Sequence, residues 1–167
     1  FYHIQFVRGS RIGYVDILKN GGLVLSMLID RPIQEQQISQ QEARQHVEEF
    51  LQQQKMADAQ FVEVRENHEA WHFVYARAIN GILIYPDALQ IKVAKDMPEI
   101  IGMSALEYVQ QEQVDIENYP EIDWERYINS NAKVQQSRLV VIEGKDYDPI
   151  VCYEALITSK NDGNHTY

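Results

Sequence analysis

His68, Glu69 and His72, in the segment HEAWH, match the pattern H-E-x-x-H. In that pattern two imidazoles one helical turn apart hold a zinc ion, and the Glu between them polarises a metal-bound water, so the chemistry exists only on a helix. The flanks argue for strands instead. Phe61, Glu63 and Arg65 alternate with Val62, Val64 and Glu66, and Trp71, Phe73 and Tyr75 alternate with His72 and Val74. Glu66-Asn67-His68-Glu69 reads as the turn between them, with Asn67 suited to a positive φ. Four residues of strand separate Cα atoms by roughly 13 Å, against about 6 Å on a helix. His68 and His72 therefore read as a turn histidine and a strand histidine, and neither His165 nor any acidic residue stands at a recognisable third-ligand spacing. No metal ligand is assigned.

Two other residues carry potential nucleophiles. Gly102-Met103-Ser104 at a strand-to-helix turn is comparable to the nucleophile elbow G-x-S-x-G, but the fifth position is Leu106, too large for that strained backbone. Ser104-Ala105-Leu106-Glu107 also fits a capping box, which gives Ser104 a structural role. Cys152 lies in the apolar run IVCYEAL without His or Asn context, so it reads as a buried structural thiol that forms no internal disulfide. No catalytic or cofactor-binding residue is assigned, no cofactor is expected, and the chain is not expected to be an enzyme. Tyr85, Tyr108, Tyr119, Trp124 and Tyr147 have the chemistry to stack on sugar rings, although such aromatics more often pack in cores and edges.

The chain has 167 residues, 45% of them hydrophobic, with 15 basic and 25 acidic side chains and a net charge of −10. Nucleic acid is a poor partner for such a chain, because phosphate binding needs clustered Lys and Arg. An anionic surface is equally unsuited to lipid headgroups, and no apolar run approaches the ~20 residues of a spanning helix. The start at Phe1, without Met, is expected of a processed product or an excised fragment, which leaves open membrane anchoring or secretion of a parent protein. Glu35, Glu48, Glu49, Glu112 and Glu117 read as solvated faces.

These residues sit on readable elements. Phe1–Val7, Ile12–Leu18 and Leu23–Ile29 form a meander of strands broken by Arg8-Gly9-Ser10 and Lys19-Asn20-Gly21-Gly22. Ser39-Gln40-Gln41-Glu42 is a capping box, with Ile38 placed to staple Ala43. Ala43, Val47, Phe50 and Leu51 then make one apolar face, predicting an amphipathic helix over 39–54 with His46 off that face. Beyond the 61–77 hairpin, Asn80-Gly81 turns the chain, and Leu89, Ile91 and Val93 alternate with the wetter Gln90, Lys92 and Ala94. Pro86 belongs at a bend or edge before that strand, since it cannot donate to a ladder. Ile100 and Ile101 continue the sheet, and a short helix opens at Ser104. Gln110–Ile122 reads as an acidic linker, Trp124, Tyr127 and Ile128 as a short helix, and Arg138–Ile142 with Ile150–Thr158 as a further hairpin.

Phe61–Tyr75 superimposes on Leu139–Tyr153 without a gap, matching Phe61 to Leu139, Val62 to Val140, Val74 to Cys152 and Tyr75 to Tyr153. Such self-similarity marks repeated modules. The expected fold is α+β: tandem modules, each an antiparallel sheet with one helix packed on a face. Residues 1–31 would be the strand half of a first module, 32–103 a complete module, and 104–167 a linker with a third module cut short at its C-terminus.

The segments KNGGLVLSML, SQQEARQHVEEFL, NGILIYPDALQIKVAKDMPEIIGMSALEYV and SRLVVIEGKDYDPIVCYEALITSKNDGNHTY together resemble the C-terminal PepSY-module region of the YpeB family of spore germination proteins. GILIYPDALQIKVA and VCYEALI are its most specific parts, while Gln111–Glu121 departs from the basic, Pro-rich linker expected there. The resemblance implies a non-catalytic module of the kind found in peptidase propeptides, where PepSY modules inhibit or chaperone. It implies a partner, a cortex-lytic peptidoglycan hydrolase of SleB type, that the module stabilises or inhibits, and a place in the spore envelope outside the inner spore membrane. It also implies a parent anchored by an N-terminal segment outside this chain and a further strand after Tyr167. No catalytic residues carry over from the family. A cell-wall glycan-binding module is the alternative reading, and an HExxH zinc hydrolase a remote one. Exposed edge strands and grooves between modules are the physical candidates for a partner surface.

Overall fold

Short alternating runs separated by glycine turns make the first three strands, β1 (Tyr2–Arg8), β2 (Arg11–Ile17) and β3 (Val24–Asp30), in an antiparallel meander. Gly21 and Gly22 carry the β2–β3 turn at φ 88° and 70°, a region that costs glycine nothing. Gly13 is required for a different reason. A Cβ there would stand 2.5 Å from the Phe6 ring that lies over it from β1. The computed structural model describes residues 1–110, 114, 116 and 119–159.

Helix α1 (Gln40–Gln53) starts where the capping box places it: Ser39 Oγ accepts from the Glu42 N–H and the Glu42 carboxylate accepts from the Ser39 N–H at 2.8 Å. Ala43, Val47 and Leu51 are buried and Phe50 packs against them partly covered, so the apolar stripe faces the sheet. His46 is half-buried, off that stripe.

Four strands lie under this helix: β4 (Ala59–Glu66), β5 (Ala70–Ile79), β6 (Ile82–Ala94) and β7 (Ile100–Ser104). Trp71, Phe73 and Tyr75 of β5, with Leu89, Ile91 and Val93 of β6, form the core against α1. Ala94 is also buried, unlike the wet-face position expected for it. In β4 the strict alternation fails, because the ladder steps from Phe61↔Tyr75 to Glu63↔Val74 and leaves Val62 as an extra bulged residue. Phe61 and Val64 consequently both pack on the core, although the simple period puts them on opposite sides.

Pro86 is not before the strand but within it. β6 runs through Tyr85-Pro86-Asp87 as a bulge, the ladder jumping from Ala76↔Ala88 to Arg77↔Ile84. A residue without an N–H is tolerated there because that stretch takes no ladder position. The bulge also divides the opposite edge of β6. Gln90–Val93 pair with β7, whereas Leu83 and Ile84 pair in parallel with Val140 and Val141 of β8 (Ala132–Glu143). Asp87, fully buried, forms an ion pair with Arg77 beneath helix α2 (Leu106–Gln110).

Helix α2 corrects the Ser104 capping box. Ser104 is the last residue of β7, paired with Ser26 and Gln90, and the helix opens after the buried Ala105, whose carbonyl accepts from Val109 at 3.1 Å. Ala105 and Tyr108 complete the core beneath α1. The Trp124 segment is a single 3-10 turn, Trp124–Arg126, capped by Asp123. The closing hairpin pairs β8 with β9 (Pro149–Ser159). Phe61↔Tyr75 and Leu139↔Tyr153 are both facing pairs, so the gapless superposition lays one ladder pair on the other.

The result is α+β: among the described residues, a nine-stranded mixed sheet ordered β1-β2-β3-β7-β6-β5-β4, with β8 on β6 and β9 on β8. Segments 1–31, 32–103 and 104–159 all contribute strands to it. Part of the linker expected over 110–122, including Glu112 and Glu117, lies outside the described residues, as do His165 and the chain end at Tyr167.

Candidate interaction surface

The H-E-x-x-H letters fall on a hairpin. Asn67 Oδ1 accepts from the backbone N–H groups of Glu69 and Ala70 at 2.9 and 2.8 Å, closing the β4–β5 turn without the positive φ expected of Asn67. That use of the oxygen leaves Nδ2 to donate to His72 Nε2 at 3.0 Å. His72 is half-buried beside Lys92 of β6, and burial first, then the lysine charge, push its pKa below the ordinary value. It is thus a neutral imidazole serving the hairpin, while His68 and Glu69 point outward at the tip. Among the described residues no group of three His, Cys, Asp or Glu is placed to hold a metal ion.

The other reactive residues are similarly occupied. Cys152 is half-buried opposite Val140, and burial followed by the Glu154 charge raises its pKa, which keeps the thiol protonated. Tyr108 is buried and donates to Asp58; burial and that bond raise its pKa. Tyr85 donates to Glu154 at 2.9 Å and accepts from Arg138 at 3.0 Å, a network spanning the β6–β8 seam. Of the five candidate sugar-stacking residues, Tyr108 is buried, Tyr85 and Trp124 are half-buried, and Tyr119 and Tyr147 are exposed.

What the fold leaves open is a surface. One cross-strand row runs Ile91, Met103, Met27, Val15, Ile4 along the side of the sheet that α1 covers. Exposure climbs along it from 0% at Ile91 and 6% at Met103 to 47% at Ile4. Tyr2 is exposed on the same side, and Val7, Ile12, Tyr14 and Leu28 are exposed on the opposite side of β1–β3. Among the described residues β1 is also an edge strand, carrying no Pro, no Lys and no bulge. β4, the edge at the other end, has its bulge at Val62 and a Glu63–Arg65 ion pair. Those are devices that discourage strand addition, and β1 lacks them.

The position of this surface is set by charge. Arg31, just after β3, donates to both Asp96 oxygens at 2.7 and 2.8 Å and through Nε to Glu99 at 2.6 Å. Glu99 also accepts from Arg11 of β2 at 2.7 Å, and Asp96 accepts from the Gln34 N–H at 3.0 Å. The Arg31 bonds hold the Asp96 carboxyl down to about 2. This cluster locks β1–β3 onto the β6–β7 turn. Sequence reading did not find it, because Arg31 and Asp96 stand 65 residues apart and each looks like an ordinary surface charge.

The chain is similar to proteins of known sequence and structure. A family model described as YpeB sporulation, PepSY1 and PepSY2 domains matches residues 2–115. Sporulation protein YpeB of Bacillus subtilis (strain 168) is 28% identical over 159 residues, which cover 92% of this chain and 35% of that protein. Its namesake from Halalkalibacterium halodurans is 28% identical over 145 residues, 84% of this chain and 32% of that one. The chain thus spans about a third of the length of these relatives. The solved Bacillus megaterium YpeB C-terminal domain superposes with a TM-score of 0.83 at 29% identity, covering 96% of this chain and 74% of that one. With the sheet, the capped helix and the matched domains in agreement, the chain belongs to the YpeB sporulation family, in its C-terminal PepSY region.

Proposed function

We propose that this region is a non-catalytic protein-interaction module of spore germination, acting on a cortex-lytic peptidoglycan hydrolase of SleB type that it stabilises, restrains or both. The observation that carries this reading is the uncovered apolar surface of β1–β3, continuous with the core and ending on an unprotected edge strand. Such surface marks a contact site, and an open edge accepts a partner strand through its unpaired N–H and C=O groups. The chain as a whole carries a net charge of −10, which favours basic partners over acidic ones. The place of action is the spore envelope outside the inner spore membrane. No helix among the described residues is long and apolar enough to cross a membrane, so attachment would come from another part of the parent protein.

The test is co-purification of the chain with its cognate hydrolase, followed by an assay of that enzyme on cortex peptidoglycan. Wild-type chain should bind and slow or prolong the activity, and Ile4→Glu should lose both effects while keeping its own thermal transition. Binding that survives Ile4→Glu and Val7→Glu together, or no binding by the folded wild type, overturns the proposal.

A further inference from the structure

Beside the 3-10 turn lies a groove of about 520 Å³ lined by Trp124, Glu125, Ile128, Asn129, Ser130 and Lys133. Its back wall is fixed. Asp123 caps the turn, Tyr127 and Ile128 donate to the Trp124 carbonyl at 2.9 and 3.0 Å, and the Trp124 ring stands edge-to-face with Tyr153 at 6.4 Å and 89°. Asn129 is held too, its Oδ1 accepting from the Asn131 N–H at 2.9 Å. A second recess, of about 340 Å³, opens on Pro120, Glu121, Tyr127, Tyr153 and the Asp123–Arg126 ion pair. The two recesses flank one aromatic pair. Each lies at or near the 300–1,000 Å³ of small-ligand sites.

We infer that the grooves flanking Trp124 and Tyr153 form a saccharide site, taking successive sugars of an unbranched, carboxylate-bearing amino-sugar chain. The chemistry of the lining selects this class. A sugar ring has an apolar C–H face and a polar rim, which match an indole wall bordered by an amide, a hydroxyl, a carboxylate and an ammonium. One ammonium suits one sugar carboxylate, and the scarcity of cations disfavours polyphosphates. The aromatic pair shared by the two recesses favours a chain over a single sugar. This site lies beside the β8–β9 branch of the sheet and shares no residue with β1–β3, so it stands or falls independently of the hydrolase contact.

The experiment is titration of the folded chain with soluble peptidoglycan fragments and with an N-acetylglucosamine hexamer, followed by tryptophan fluorescence. The chain has two tryptophans and Trp71 is buried, so a change on binding reports Trp124. Saturable binding of the peptidoglycan fragments is expected, weakened at least tenfold by Trp124→Ala and by Lys133→Ala, with the neutral hexamer binding more weakly than the carboxylate-bearing fragments. Lys133→Ala removes no packed ring and keeps the test valid should Trp124→Ala unfold the hairpin. No saturable binding by wild type, or binding that Lys133→Ala leaves unchanged, overturns the inference.

Discussion

In β5 and β6, Phe73, Tyr75, Leu89 and Ile91 face α1 and are no more than 2% exposed. In β1, on the same side of the same sheet, Tyr2 and Ile4 are about half exposed. The two regions share their alternation and their turn chemistry, and differ in whether a helix lies across them. Burying such a side chain fully is worth about 1.5–3 kcal/mol, so one region holds the fold together while the other keeps most of that driving force for something else. The lesson is that an alternating strand specifies which residues share a face, and the rest of the chain decides whether that face is core or surface.

The comparison can be tested by perturbing each side. Phe73→Ala should cost roughly 3–5 kcal/mol in denaturant unfolding, through lost contacts and a cavity in a packed core; a cost near zero would show that α1 does not seal the β5 face. Next in size is the charge cluster joining the regions. The Asp96 pKa is lowered from 3.8 to about 2, so its stabilising effect is present above about pH 4 and is lost as pH falls toward 2. That shift corresponds to about 2 kcal/mol. Stability measured across this window should fall in wild type and flatten in Asp96→Asn.

Smaller again, Ser39→Ala should cost about 1 kcal/mol by removing the side-chain partner of the Glu42 N–H, read as a lower unfolding midpoint. At the bottom of the scale, Ile4→Ser should change stability by no more than about 0.5 kcal/mol, the usual range for surface positions. The same substitution should abolish hydrolase co-purification. A large stability loss at Ile4 would erase the distinction between the two regions.

The strands of the meander, the capped helix and both hairpins were legible in the sequence because their causes are local: alternation, Gly turns and a Ser-x-x-Glu cap act within a few residues. The rejection of helical geometry at HEAWH rested on the same local signal. The bulges at Val62 and Pro86 were not legible, since a bulge is defined by a partner strand that the linear pattern does not name. Ser104 misled for a related reason. Its spacing to Glu107 suits a cap, but pairing with Ser26 and Gln90 claims its backbone for the sheet.

By itself, then, the sequence determined the α+β class, the element types and the apolar faces, together with the family those segments belong to. Only the tertiary structure decided that β6 is shared between β7 and β8, that Arg31 meets Asp96 across 65 residues, and that Ile4 ends a row begun in the core at Ile91. Propensity and capping are short-range, whereas burial and ion pairing depend on which distant segments the sheet order brings side by side.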